Sequence, residues 1–450
     1  MAVKTSTSVK QGSTKHTLQQ WNPEDEHFWE SAGKKVATKN LWISIPCLLL
    51  AFSTWMIWSA VAVNLNSVGF NFTKEQLFTL AAVPGLTGAT LRIIYSFVVP
   101  IFGGRNWTVL STATLLIPAI GIGQAVQNPA TSYETMLMLA LFCGFGGGNF
   151  SSSMSNISFF FPKKKQGTAL GLNAGLGNLG VSTLQFIVPV VIGMSLFGDF
   201  GGAPQTMKAA DGTMKQVWLQ NAGYVWVLPI IICTLAALFG MDNLKSAKTP
   251  LKDQLVIFRR KHMYLTTWLY VMSFGSFIGY SAAFPLLIKS QFTDVNPLKY
   301  AFIGPLLGAL IRPIGGWISD KTSGAKVTFW DLLVMIIAVV GVIHFIQPES
   351  KSFVGFFACF MLLFTTTGIA NGSVFRMIGV IFPPKEKAPV LGFSAAIAAY
   401  GAFVLPKCFG WSIAATGAAD TALWGFIGYY VTCLFVTYFW YFRKNAAVKC

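Results

Sequence analysis

Gly88-Ala89-Thr90-Leu91-Arg92 recurs 220 residues later as Gly308-Ala309-Leu310-Ile311-Arg312. Each string places an arginine inside a long apolar segment, where a charge is costly and usually functional. The offset is about half of the 450-residue chain. Two intramembrane arginines at matching points of two halves point to a membrane protein with a central anion site.

Composition sets the solvent. The chain is 54% hydrophobic and 11% charged, against roughly 25% charged in ordinary soluble domains, and its mean hydropathy is +0.58. Apolar runs of about 20 residues recur, each long enough to span a bilayer as a helix. The net charge of +17 sits in short loops rather than on a basic face, so a nucleic-acid partner is not expected. The seven cysteines are scattered without a CxxC or a Cys/His cluster. That pattern supports neither a disulfide framework nor a metal site, and no cofactor is expected. Residues 1–40 are polar and contain no cleavable signal. Within them, Trp21-Asn22-Pro23-Glu24-Asp25-Glu26 with Phe28-Trp29 reads either as a short amphipathic surface element or as a loosely ordered tail.

Twelve apolar segments follow, near 41–65, 76–101, 107–127, 133–160, 167–195, 222–240, 262–288, 297–318, 327–347, 352–381, 388–410 and 421–442. With the N-terminus inside, the inside loops carry 14 Lys and Arg and the outside loops six. This excess predicts that both termini are cytoplasmic. The expected organisation is a cytoplasmic tail over 1–40, a six-helix bundle over 41–240, a cytoplasmic loop over 241–261, a second six-helix bundle over 262–442 and a tail over 443–450. A polar, glycine-rich stretch near 196–221 reads as a surface loop.

The halves repeat elsewhere. Phe161-Pro162-Lys163 corresponds to Phe382-Pro383-Pro384-Lys385, and Gly171 and Gly180 correspond to Gly392 and Gly401, all at an offset of 221. Segment two thus matches segment eight, and five matches eleven. Paired halves of this kind are the plan of many secondary transporters, with substrate bound at the interface near the midplane. The region 41–442 resembles the major facilitator superfamily. The turns Gly103-Gly104-Arg105 and Ser319-Asp320-Lys321 stand where that superfamily carries its loop motif, in worn form.

The acidic residues fall in the tail, in loops or at segment ends, Asp331 among them near the cytoplasmic start of segment nine. No carboxylate is placed mid-membrane to pair with Arg92 or Arg312, and arginine stays charged at any ordinary pH. Arg92 stands 13 residues before the loop residue Arg105, roughly 20 Å at ~1.5 Å per residue, which is too deep to snorkel comfortably. An anion between the two arginines is favoured over pairing with backbone carbonyls. Planar guanidinium forks suit a small planar oxyanion.

Segments five and eleven are crowded with small residues, including Gly171, Ala174, Gly175, Gly177, Gly180, Gly392, Ala395 and Gly401. Small residues let helices pack closely or slide. Phe150, Tyr270, Phe274 and Phe375 would narrow the centre, where aromatics are otherwise ordinary core or lipid-facing groups. Gly175-Leu176-Gly177-Asn178-Leu179-Gly180 matches a dinucleotide motif in form alone, since no strand precedes it. Asn173 and Asn178 read either as polar lining of a pathway or as helix–helix hydrogen-bonding groups. The four histidines, His16, His27, His262 and His344, all lie away from the centre. A proton-coupled cycle therefore lacks an obvious carrier, which argues for anion exchange without excluding symport.

Gly171-Leu172-Asn173-Ala174-Gly175-Leu176-Gly177-Asn178-Leu179-Gly180, with Gln185 beyond, resembles the nitrate signature of bacterial nitrate/nitrite porters of the NarK/NarU type. So do Asn40-Leu41-Trp42-Ile43-Ser44, Gly69-Phe70-Asn71-Phe72-Thr73, Ile157-Ser158-Phe159-Phe160-Phe161-Pro162 and Phe274-Gly275-Ser276-Phe277-Ile278-Gly279. The resemblance implies an all-α integral membrane protein with 12 transmembrane helices in two pseudo-symmetric six-helix bundles, monomeric, in a bacterial cytoplasmic (inner) membrane. It implies that Arg92 and Arg312 clamp nitrate or nitrite, that Phe150 and Phe375 sandwich it, that Asn178 and Tyr270 supply hydrogen bonds, and that Phe274 lines the site. It also implies rocker-switch alternating access on the glycine-rich segments. Two departures stand out. Ala395 occupies a position that resembles a serine in relatives, and Arg376 one that resembles a neutral polar residue. Arg376 would either draw anions inward or snorkel. The expected function is nitrate/nitrite exchange. Proton-coupled nitrate symport and exchange of another oxyanion such as an organic phosphate are the rivals. A sensor would need a soluble output domain, and an enzyme a metal cluster or a nucleophile and base at depth.

Overall fold

A computed structural model describes residues 16–208, 213–245, 255–446 and 448–450. Parts of the expected tail (1–15), surface loop (209–212) and inter-bundle loop (246–254) therefore lie outside the described residues. The rest is almost entirely helical: α1 (Lys34–Trp55), α2 (Lys74–Tyr95), α3 (Gly104–Ala125), α4 (Tyr133–Phe160), α5 (Lys163–Val191), α6 (Asn221–Gly240), α7 (Lys261–Gln291), α8 (Ile303–Lys321), α9 (Gly324–Ile346), α10 (Phe353–Ile381), α11 (Pro384–Ala399 continued by Gly401–Thr416) and α12 (Asp420–Phe442). Among the described residues, eleven helical stretches are long and apolar enough to cross a membrane. The exception is α4. It has 28 residues, but Gly144, Gly146, Gly147, Gly148, Asn149, Ser151, Ser152 and Ser153 dilute its apolar content.

Local chemistry sets the helix ends. Thr73 and Gln76 form a reciprocal capping box at the start of α2, satisfying two N–H groups that a helix start leaves open. Ser132 caps α4 and Ser352 caps α10. Pro162 and Pro383 each hold extended backbone immediately before α5 and α11, so the 221-residue repeat is also a repeat of local conformation.

The tail is pinned to the bundle. Trp21 Nε1 donates to the Phe159 carbonyl at 3.1 Å, and the Lys163 backbone N–H donates to Glu24 Oε1 at 3.0 Å. Thr17–Leu18 pairs in parallel with Asn243–Leu244. The end of the molecule bearing these contacts is called the tail face below, and the opposite end the far face. The expected surface loop contains a two-stranded antiparallel hairpin, Gln205–Lys208 with Met214–Val217. It is tied down by buried Gln220, which accepts from Gln205 Nε2 at 2.9 Å and donates to the Gly201 carbonyl at 3.0 Å.

One close crossing recurs in both halves. A Cβ on Gly147 of α4 would stand 2.7 Å from Gly88 Cα of α2, and a Cβ on Gly368 of α10 would run into the Gly308 carbonyl of α8. Only glycine permits these backbone approaches. In each half the arginine lies one turn past that glycine, so the crossing fixes where the guanidinium emerges.

Across the halves, the side-chain hydrogen bonds among the described residues are Thr90–Tyr400, Arg92–Ala395, Gln185–Ser281 and Lys407–Thr79. All lie at mid-depth or toward the far face. A Cβ on Gly85 would run into the backbone of Ala402 there. Toward the tail face, a Cβ on Gly167, Gly171 or Gly175 of α5, or on Gly392 of α11, would meet nothing within 4 Å. The halves are closed at the far face and part toward the tail face. Gly85→Leu is therefore expected to hold the far side apart and lower transport by at least ~10-fold, because overpacking of this kind costs on the order of 1–3 kcal/mol. Thiol labelling of a cysteine placed at Thr79 should rise with it; unchanged labelling would show that the contact is not needed for closure.

Candidate functional site

Arg92 is fully buried. Its Nε donates to the Gly147 carbonyl and its Nη1 to the Ala395 carbonyl, each at 2.9 Å. Nη2 is buried with no partner. Three rings surround the guanidinium, with Cζ lying 4.6 Å from the centroid of Phe150, 5.1 Å from Trp55 and 5.2 Å from Phe274. Each face-on ring contributes on the order of 2 kcal/mol to a desolvated cation, so the aromatic cage offsets part of the burial cost. No carboxylate among the described residues pairs with Arg92. One N–H edge is left without an acceptor, at the level where the two halves begin to part.

Arg312 is the counterpart on α8. It is partly exposed, its Cζ lies 5.4 Å from the Phe375 ring, and its Nη1 is buried without a partner. A guanidinium only donates hydrogen bonds, and nitrate-like anions only accept them. Each open N–H can donate to an acceptor-only group.

Around Arg92 the structure gathers Phe150, Phe274 and Tyr270 from the sequence-selected residues, and beside Arg312 it places Phe375. Phe150 and Phe274 stack across the halves with centroids 6.4 Å apart, and Phe274 stacks on Tyr270 at 5.9 Å. Asn178 is buried and its Oδ1 has no partner. Asn173 also has a buried, unpartnered Oδ1, but its Nδ2 donates to Ser153 Oγ at 2.8 Å, and Ser153 bonds Ser44 at 2.8 Å. That side chain ties α5 to α4 and α1 inside the first half. The signature glycines also divide. Gly171, Gly175 and Gly392 border open space, whereas a Cβ on Gly177 would stand 2.7 Å from Leu48, one on Gly180 would strike the Leu49 carbonyl, and one on Gly401 the Gly275 carbonyl. These last three are close-packing residues. The reason is helical rotation. Gly177 and Gly180 stand two and five residues beyond Gly175, and Gly401 nine beyond Gly392, offsets that carry each to another face of its helix.

The two departures resolve in the structure. Ala395 lacks a hydroxyl, but its carbonyl bonds Arg92 directly. Arg376 neither faces an anion pathway unpaired nor snorkels alone, because it is ion-paired with Asp320 of the Ser319-Asp320-Lys321 turn. Asp331, expected near a helix end, is buried within α9 with Oδ2 unpartnered. Asn371 on α10 likewise presents a buried, unpartnered Oδ1.

A family model described as Major Facilitator Superfamily matches residues 43–406. Nitrate/nitrite transporter NarU of Escherichia coli (strain K12) is 46% identical, with 97% of this chain and 98% of that protein covered. The probable nitrate/nitrite antiporter NarK2 of Thermus thermophilus is 43% identical, covering 96% and 97%. This chain belongs to the nitrate/nitrite porters of the NarK/NarU type within the Major Facilitator Superfamily. Its relatives are transporters rather than enzymes. Among solved structures, a bacterial homolog of the human lysosomal transporter Spinster, in an inward-facing and occupied conformation, aligns with a TM-score of 0.66 at 13% identity, over 90% of this chain and 96% of that one. A variant of the nucleoside transporter NupG aligns with a TM-score of 0.62 at 12% identity, over 88% and 99%. Both show the shared fold.

One residue of this porter escaped the sequence reading. Lys407 lies inside the apolar segment 388–410 and should have been flagged by the same rule that flagged Arg92. Its Nζ donates to Thr79 Oγ1 at 3.0 Å and stands 3.7 Å from Glu75 Oε1. It is the ion pair that joins the halves at the closed far side among the described residues. Both side chains are partly exposed, and such pairs are worth roughly 0.2–1 kcal/mol. Lys407→Met should therefore shift far-side opening by about two- to fivefold, measured as thiol accessibility of a reporter cysteine at Thr79. A change of a hundredfold, or none, would contradict this weight.

Proposed function

We propose that this chain moves nitrate and nitrite across the bacterial cytoplasmic membrane by alternating access, exchanging one for the other, with the anion held between Arg92 and Arg312. The observation that carries the reading is the pair of buried, unpartnered guanidinium N–H groups, Arg92 Nη2 and Arg312 Nη1, with aromatic rings around them and no carboxylate paired to them among the described residues. The printed functions of the relatives supply the anion. Phe150 and Phe375 bound the space above and below it, Phe274 lines it, and Asn178 and Tyr270 add polar contacts.

Exchange follows from charge. Two permanently charged groups without counter-ions repel when the halves approach, and a bound anion relieves that repulsion. An empty site resists the switch and a loaded one permits it, so each anion moved one way is followed by another moved back. The Ala395 carbonyl holds one Arg92 N–H in the absence of anion, as a weaker acceptor that an oxyanion displaces. The lysine-rich loops at the tail face support reading that face as cytoplasmic, which makes the opening toward it an inward one.

The decisive experiment compares nitrate uptake into nitrite-loaded and empty proteoliposomes while internal pH is followed. Exchange predicts uptake that depends on internal nitrite without acidification. Acidification with no dependence on internal nitrite would establish proton symport instead. Arg92→Ala and Arg312→Ala are each expected to lower uptake by ~100-fold or more, since breaking a buried charged contact costs on the order of 3–5 kcal/mol. Arg→Lys should fail similarly, because a point charge replaces a planar fork. Near-normal uptake by either alanine variant would remove that residue from the site.

A further inference from the structure

A cavity of about 800 Å³ lies between α7, α11 and α12, away from the arginine site. Its walls include Val271, Phe393, Ile397, Leu405, Gly425 and Phe426 and no charged residue. Protein interiors are close-packed, so a space of this size is not a packing fault. It opens sideways, between helices long and apolar enough to cross a membrane. Its lip carries exposed Tyr264, Trp268, Val404 and Trp411, which continue the outer apolar surface of the molecule.

Most polar groups in the walls are already committed; the Thr421 hydroxyl and the Trp411 indole N–H, both on exposed residues, are the exceptions. Ser276 Oγ and Tyr280 Oη bond Tyr430 Oη at 2.8 and 2.7 Å. Thr267 bonds Ser394 at 2.8 Å, Tyr429 donates to the Trp268 carbonyl at 2.7 Å, and Tyr400 bonds Thr90 at 2.9 Å. A polar ligand would leave water for a wall whose free donors belong only to exposed residues, which is costly. The occupant is apolar. From Phe393 to Trp411 the α11 wall runs 18 residues, roughly 27 Å at ~1.5 Å each. That is close to the ~30 Å hydrocarbon thickness of a bilayer.

We infer that this groove binds an acyl chain of a membrane phospholipid, drawn in from the surrounding leaflet. The chain lies behind α11, the helix that offers Ala395 to Arg92 and Tyr400 to Thr90. Gly425 is the entry point on α12, since a Cβ there would meet nothing within 4 Å.

The test uses the full-length protein in liposomes containing a phospholipid with a photoreactive diazirine in its acyl chain, with adducts mapped by mass spectrometry. The inference predicts adducts on the floor residues Leu405, Ala422 and Tyr430 as well as on the lip residues Tyr264 and Trp411. Gly425→Phe should reduce the floor adducts at least fivefold and leave the lip adducts unchanged. Gly425→Leu, which fills less space, gives an intermediate loss and serves if the phenylalanine variant does not assemble. Adducts confined to the lip in the unmodified protein would overturn the inference, leaving ordinary surrounding lipid. So would floor adducts that neither substitution reduces.

Discussion

The structure depends on holding two guanidinium groups, one fully and one partly buried, that cannot lose their charge and have no carboxylate partner among the described residues. Lysine or histidine could shed a proton under such desolvation; arginine cannot. The protein meets the cost at Arg92 with three aromatic rings and two backbone carbonyls. It meets it at Arg312 with partial exposure and one ring. Neither environment satisfies every N–H. The remaining donors, Arg92 Nη2 and Arg312 Nη1, are buried without a partner, and the proposed anion would supply their acceptor.

Everything that positions those groups is a matter of close backbone approach. Gly88 against Gly147 and Gly308 against Gly368 bring the arginine-bearing helices onto their neighbours. That is how the Gly147 carbonyl comes within reach of Arg92 Nε. The far-side closure uses the same device where Gly85 meets Ala402, and within the second half Gly275 meets Gly401 in the same way. The contacts between the halves are of a different kind. Lys407–Glu75, Thr90–Tyr400 and Gln185–Ser281 are few and modest, which suits the proposed alternating access.

Much of this was legible in the sequence because the costs are large there. A charge in an apolar run stands out, and its recurrence at the same offset reveals the repeat. The prolines before α5 and α11 do the same for local conformation. Less legible was the direction in which each small residue of α5 points. Asn173 and Asn178 are five residues apart and face different neighbours: the Asn173 Nδ2 is spent on Ser153, while each side chain keeps an unpartnered Oδ1. A string of glycines does not say which will pack and which will border space. Arg376 was ambiguous because its partner Asp320 belongs to another helix. Lys407 went unremarked for lack of a matching residue in the first half, although its depth carried the same information as that of Arg92.

The central claim is that Arg92 and Arg312 bind one anion together. It is tested most directly by nitrate-dependent thermal stabilisation of the purified protein and of its Arg312→Ala variant. Ligand that binds only the folded state stabilises it by RT ln(1 + [L]/Kd), about 2.7 kcal/mol at a hundredfold excess over Kd. The account predicts saturable stabilisation of the unmodified protein by nitrate and nitrite, and loss of that response in Arg312→Ala although Arg92 remains intact. Equal, saturable stabilisation of both proteins would contradict it.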